Sequence, residues 1–322
     1  MSELPRPWYW RGAASQLLRP AGWLYARAQA WREAQRRTEG HEIPLLIVGN
    51  PRVGGSGKTP ISIDLVERLR ARNQQAAWIG RGVGGDKQGR RIGDGHHAGK
   101  IGDEARMAAT ALGDFCYAGL PRSELISQAA GEGCVVAISD DGMQSPDLLP
   151  DALLVVLRAE DPWGNGLRLP AGPLREGPEC LQRAQLIVWH GLDQAMPVLP
   201  AEADERWVAA HYQVEMPDLS DAKKLGVATA IADPERLLRS LRCVDISPQQ
   251  EVLVRDHGAL PLASMDRNTT WLTTEKDIAR HAHEKPAGLD FRAVKVRLKW
   301  ADNGAKAEAL LEAMMDRATS AT

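Results

Sequence analysis

At 322 residues the chain is long for one hydrophobic core, so two lobes are expected. A hydrophobic content of 43%, a charged content of 25% and a net charge of -2 fit a soluble globular protein and argue against a general nucleic-acid binder, which needs a basic surplus. The four cysteines, Cys116, Cys134, Cys180 and Cys243, form no C-x-x-C pair, which excludes an evident zinc site or disulfide framework and fits a reducing cytosol.

The chain opens on an aromatic and basic stretch. Trp8, Tyr9, Trp10, Trp23, Tyr25 and Trp31 stand among Arg6, Arg11, Arg19, Arg27, Arg32, Arg36 and Arg37. Leu17, Leu18, Ala21, Leu24, Tyr25, Ala28 and Trp31 recur at helical spacing, and Pro20 should break the segment into two short helices. Such a segment, 1–40, suits the interface of an anionic membrane or a place packed on the core; the pattern leaves both open. No apolar run is long enough to span a bilayer, and Pro5, Arg6, Pro7 and Arg11 interrupt any signal-peptide core.

After Gly40 strands and helices alternate. Apolar runs at 43–48, 76–79, 115–117, 134–139, 152–157 and 185–189, with a helical segment at 60–71, predict a parallel sheet covered on both faces, with its ligands at the carboxyl ends of the strands. Residues 86–102 are glycine-rich and polar and read as a loop. A second, smaller α/β lobe is expected over 201–322, closing over the site of the 41–200 domain. Its predicted strands lie at 225–231, 269–273 and 291–300, with helices opening at Asp233-Pro234, spanning 275–281 and beginning at Ala305.

The strongest chemical signal is Val53-Gly54-Gly55-Ser56-Gly57-Lys58-Thr59-Pro60, set between a strand and a helix. Glycines let backbone N–H groups turn inward around phosphate oxygens, and the helix N-terminus adds partial positive charge. Lys58 would neutralise the β- and γ-phosphates of ATP, and Thr59 would ligate Mg2+. Arg52 stands where the strict pattern has its first glycine. A second glycine cluster, Gly80-Arg81-Gly82-Val83-Gly84-Gly85, satisfies G-x-G-x-x-G but runs into the polar loop instead of a helix, so a dinucleotide site is not expected.

Mg2+ at such a loop needs a carboxylate at the end of a neighbouring strand, and Asp140-Asp141-Gly142 follows the run at 134–139. Which aspartate ligates stays open. Gly102-Asp103-Glu104 precedes a helical segment, where two acids commonly serve only as cap and dipole partners.

Together with Gly164-Asn165-Gly166, Leu169-Pro170-Ala171-Gly172-Pro173-Leu174-Arg175-Glu176, Asp256-His257 and Thr273-Thr274-Glu275-Lys276-Asp277, these segments resemble the tetraacyldisaccharide 4'-kinases, the lipid A 4'-kinases of Gram-negative bacteria. The resemblance covers most of the chain. It departs from the family pattern at Gly80, Val83, Ser145 and Gly258.

The resemblance implies a P-loop NTPase-like fold and transfer of the ATP γ-phosphate to the 4'-hydroxyl of an acylated glucosamine disaccharide 1-phosphate. The enzyme would be peripheral, at the cytoplasmic face of the inner membrane, with no obligate protein partner. Asp103 becomes the base with His257 as its partner, alongside Lys58. Glu104, Asp140 and Asp141 fall around the metal and phosphates with Thr59, and Arg81, Gln144, Asn165, Arg175 and Glu176 on the substrate side. The alternatives are a membrane ATPase switch of the partitioning or targeting type, which shares the loop and the acids, and a lipid-binding scaffold without catalysis.

Overall fold

The computed structural model describes residues 12–35, 39–54, 57–82, 90–92, 102–191, 195–231, 234–242, 244–255, 258–281 and 288–320. It begins with helices α1 (Ala13–Leu17) and α2 (Arg19–Ala34), divided at Leu18. Pro20 lies in the first turn of α2, where a missing N–H leaves no helical bond unmade, so it opens the second helix instead of breaking a longer one. The expected helix pair is present, but its apolar side chains are not packed into a core. Leu17 is 80% exposed, Trp23 60%, Leu24 61% and Trp31 64%. Gly22 is the buried residue of α2, and a Cβ there would lie 3.2 Å from the Arg168 carbonyl. Glycine therefore lets the helix backbone rest on the loop at 168–171.

Two compact units follow from the contacts: one holds residues up to His211 and those from Leu298, the other Tyr212–Arg297. In the first unit the elements run β1 (Leu45–Gly49), α3 (Lys58–Ala71), β2 (Ala76–Gly80), β3 (Arg90–Ile92), α4 (Asp103–Leu112), β4 (Cys116–Ala118), α5 (Arg122–Gly131), β5 (Val136–Asp140), β6 (Ala152–Arg158), β7 (Leu186–Gly191) and the first part of β8 (Trp207–Glu215), up to His211. Their spatial order is β8-β7-β6-β1-β5-β2-β4-β3, parallel throughout except for β3 against β4. β1, β2 and β5 are buried along their whole length, as continuous apolar runs require of strands covered on both faces.

Alternate residues of each strand feed two cores. Leu46, Val48, Trp78 and Ile138 meet Ile61, Leu65 and Leu69 of α3 on one face. Leu45, Ile47, Ile79 and Ala137 meet Leu125, Ile126 and Ala129 of α5 on the other. β3 lies inside the stretch that reads as a loop; residues 83–89 and 93–101 around it fall outside the described ones.

The second unit contains β9 (Leu225–Thr229), α6 (Pro234–Arg242), β10 (Gln250–Leu253), β11 (Thr270–Thr274), α7 (Glu275–His281) and most of β12 (Asp290–Trp300), ordered β10-β9-β11-β12, all parallel. The lobe expected over 201–322 is thus smaller: residues 201–211 and 298–322 belong with the first unit. The chain returns there as α8 (Ala305–Ser320), which buries Ala307, Leu311 and Met314 in the α3 core. Arg68 of α3 helps secure α8 through Glu308 at 2.7 Å.

The Thr274-Glu275-Lys276-Asp277 stretch has a structural explanation. Thr274 caps α7: its hydroxyl accepts the Asp277 N–H at 3.2 Å, the side-chain-to-N3 bond of an N-cap, and donates to the Asp277 carboxylate at 2.8 Å. The buried Asp277 also accepts the Thr229 hydroxyl at 2.6 Å and the Ala230 N–H at 3.1 Å, joining α7 to β9. Asp277→Ala would leave these donors unpaired and is expected to cost the second unit about 2–4 kcal/mol. Urea unfolding checks this, and an unchanged midpoint would contradict it.

Candidate active site

β1 delivers the chain to the carboxyl edge of the first sheet. The Asn50 side chain accepts the Arg52 N–H at 2.5 Å, and the buried Arg52 guanidinium pairs with Asp161 at 2.8 Å. Beyond Val53 and Gly54, Gly57 caps α3 with φ +82°, a left-handed conformation that a side chain would disfavour. Among the described residues no side chain caps α3, and its first turn holds no acid. The positive dipole end of the helix therefore favours an anion. Thr59, in this turn, is buried, and its carbonyl accepts the Ser62 hydroxyl, which in turn accepts the Trp78 indole N–H at 2.9 Å. Gly55 and Ser56 fall outside the described residues.

β5 lies beside β1, with Asp140 in register with Val48. Asp140 therefore ends a central strand and is 3% exposed. Neither of its oxygens has a donor in good hydrogen-bonding geometry among the described residues. Burial pushes its carboxyl up to about 7; Glu104 and Asp141 add to the shift, and Lys58 and the Thr59 hydroxyl only partly offset it.

Asp141 turns sharply away with φ +53°, its N–H held by the Val48 carbonyl at 2.9 Å. Its carboxylate meets Lys58 Nζ at 3.3 Å and accepts two bonds from Arg175 Nη1 at 3.0 Å. Burial alone would raise this carboxyl, but Lys58 and Arg175 more than offset it and hold it down at about 2. The buried Arg122 braces the pair from α5, donating to the Ser139 hydroxyl at 3.1 Å and to the carbonyls of Asp140 and Asp141 at 3.0 and 3.2 Å. Burial lowers the Arg122 pKa against the pull of Asp141, Asp140 and Asp147. Asp147 also accepts the first N–H groups of α5, at 2.9 and 3.2 Å.

Arg175 arrives on the Leu169-to-Glu176 segment, which is bound to the residues before the glycine loop. Val53 N–H donates to the Pro173 carbonyl at 2.9 Å, and the Arg175 and Glu176 N–H groups both donate to Pro51 at 2.6 and 3.1 Å. The two motifs most specific in sequence are thus one backbone assembly. Arg175 also donates to Gln144 at 3.1 Å, and Gln144 donates to Glu176 at 2.9 Å. Asn165, expected on the substrate side, is buried and holds this segment. It donates to the Ala171 carbonyl and accepts the Leu167 N–H, both at 3.0 Å.

Lys58, Thr59, Asp140, Asp141, Gln144, Arg175 and Glu176 therefore gather at one edge. Glu104 is exposed in the first turn of α4, and Arg81 is exposed just past β2. His257 and the Asp103 side chain lie outside the described residues, although Asp103 opens α4. No local motif marks Arg122, Asp147, Asp161 or Arg183: Arg122 meets the Asp140 and Asp141 carbonyls, Asp147 the start of α5, Asp161 pairs with Arg52, and Arg183 joins Glu176 to Glu33 of α2, contacts that only the fold assembles.

No three His, Cys, Asp or Glu side chains gather to hold a metal among the described residues. Asp140 nonetheless suits a hard divalent cation such as Mg2+, which takes one or two carboxylates and completes its shell with water and phosphate oxygens. The donor set fits: a buried carboxylate that accepts no well-formed hydrogen bond among the described residues, beside the Thr59 hydroxyl.

A profile described as tetraacyldisaccharide-1-P 4'-kinase matches residues 14–315. The chain belongs to this family. Similar relatives include the tetraacyldisaccharide 4'-kinases of Bradyrhizobium diazoefficiens, 35% identical over 86% of each chain, and of Parvibaculum lavamentivorans, 31% identical over 92% of this chain and 91% of the other. The fold matches the crystal structure of the "apo" form of LpxK from Aquifex aeolicus in complex with ATP, with a TM-score of 0.78, 20% identity, and coverage of 94% of this chain and 99% of that one. The mostly parallel α/β fold expected for this chain is thus shared with that structure.

Asp140 makes stability depend on pH in a definite direction. With an ordinary carboxyl at 3.8 and this one at about 7, the folded protein binds the extra proton between those values, so stability falls as pH rises through them. Asp140→Asn, in the absence of nucleotide and metal, is expected to be more stable than the parent at pH 8, with the advantage gone near pH 4. Thermal unfolding across that range checks it; an advantage that grows toward low pH would contradict it.

Proposed function

We propose that the chain transfers the γ-phosphate of ATP to the 4'-hydroxyl of tetraacyldisaccharide 1-phosphate, with Mg2+ held by Asp140 and Thr59. The observation that carries this reading is the convergence of Lys58 and Arg175 on one carboxylate, Asp141. Lys58 belongs to the nucleotide loop and Arg175 to the segment bound to its shoulder. Both cations are presented where phosphate oxygens would compete with Asp141 for them.

Lys58, the α3 N-terminus and the loop amides bind and neutralise the nucleotide phosphates. Mg2+, when bound, supplies further neutralisation of the β- and γ-oxygens. Arg175 is suited to an oxyanion of the acceptor, since its guanidinium forms paired hydrogen bonds, and Gln144 and Glu176 hold it in place. Arg81 is a further substrate-side cation. Asp103 takes the hydroxyl proton as transfer completes, and the family resemblance gives His257 a role in the same step.

The acceptor carries acyl chains, and α2 offers the exposed Trp23, Leu24 and Trp31, with Arg27 stacked over Trp23 at 5.1 Å. This composition suits a peripheral place on the anionic cytoplasmic face of the inner membrane. Among the described residues no helix is long and apolar enough to cross a membrane.

The test supplies γ-labelled ATP to the protein with the acylated disaccharide 1-phosphate in anionic vesicles. Label is expected in the lipid, the protein is expected to sediment with the vesicles, and Lys58→Ala is expected to lower kcat by roughly 100-fold or more. Label only in free phosphate would replace the kinase with an ATPase switch, and protein left in the supernatant would remove the membrane assignment.

A further inference from the structure

A line of polar contacts runs through the first unit from the phosphate loop to α2. Lys58 meets Asp141, Asp141 meets Arg175, Arg175 meets Gln144, and Gln144 meets Glu176. Beyond Glu176 stands Arg183, at the end of the 3-10 turn Pro178–Arg183. One guanidinium nitrogen, Nη2, donates to Glu176 Oε2; the other, Nη1, donates to Glu33 Oε1 of α2 at 2.9 Å.

Glu176 is a largely buried anion, 9% exposed, and needs a cation to remain one. Its Oε1 also decides which way the Gln144 amide points. With the amide nitrogen on Glu176, the Gln144 carbonyl faces Arg175; turned over, the amide would set N–H against guanidinium. Without Arg183, the Glu176 charge would pull on the Gln144–Arg175 contact next to it in this line. It would then compete with Asp141 and Gln144 for the group that the acceptor must meet.

We propose that Arg183 is a positioning residue: it neutralises Glu176, fixes Gln144 through it, keeps Arg175 aimed at Asp141 and the acceptor, and ties this cluster to α2. The inference rests on the kinase reading above, in which Arg175 meets an oxyanion of the acylated acceptor.

Steady-state kinetics with each substrate varied in turn tests it on the full chain. Arg183→Gln is expected to raise KM for the acylated disaccharide 1-phosphate by about tenfold while kcat and KM for ATP stay within about twofold. Arg183→Lys, which keeps the charge, is expected to recover most of the loss. In a Glu176→Gln background, Arg183→Gln is expected to add less than about twofold, because the two act as one unit. A lipid KM unchanged in Arg183→Gln, kcat and both KM values falling together, or fully additive losses would each overturn the assignment. Arg175→Ala separates the levels. If it raises the lipid KM and Arg183→Gln does not, this inference alone fails. If it leaves the lipid KM unchanged, the reading of Arg175 fails and this inference falls with it.

Discussion

Two adjacent carboxylates at the end of a central strand, one buried and one partly buried, are the constraint around which this site is built. β5 lies between β1 and β2, its last residue Asp140 is buried, and Asp141 follows it into a turn that Arg122 clamps. Buried carboxylates are costly unless paired. The chain treats the two differently. Asp141 takes two cations, one from each of the two functional loops, and stays ionised far into acid. Asp140 takes no such contact and is held near neutrality. That division gives the site a fixed anion that organises its own cations, and a second carboxylate to which the proposed function assigns an incoming cation.

The same constraint explains why the Leu169-to-Glu176 segment and the glycine loop are so distinctive in sequence. The segment's backbone bonds to Pro51 and Val53 put Arg175 within reach of Asp141, and Lys58 reaches the same carboxylate from the start of α3. Arg52, which stands where a strict nucleotide loop has glycine, fits because its side chain leaves the loop and is absorbed by Asp161. The glycine that the mechanism needs is Gly57, where the backbone is left-handed, and that one is present.

Much of this was legible in the residues. Strands β1, β2, β5, β6 and β7 were visible because burial on both faces demands continuous apolar runs. β3 and β10 were not: β3 has three residues, and β10 alternates between partly buried and exposed positions, so neither carries a continuous apolar run. α5 was missed because its N-terminus is capped by Asp147, far along the chain, and no local cap announces it. In the site, Asp140-Asp141-Gly142 was readable as an acidic turn after a strand. The split between the two acids was not, since it depends on the φ of Asp141 and on Arg175, well separated in sequence. The bonds by which Asn165 holds its segment were not legible either: a polar residue in a distinctive motif shows its chemistry, and only the fold shows that it bonds Leu167 and Ala171.

In the proposed function Asp140, whose oxygens accept no well-formed hydrogen bond among the described residues, meets the divalent cation that arrives with nucleotide. Calorimetric titration of ATP into the parent chain and into Asp140→Asn at pH 8, with and without Mg2+, tests it most directly. Mg2+ is expected to tighten ATP binding about tenfold or more in the parent and by less than about twofold in the variant. Equal tightening in both would contradict the account.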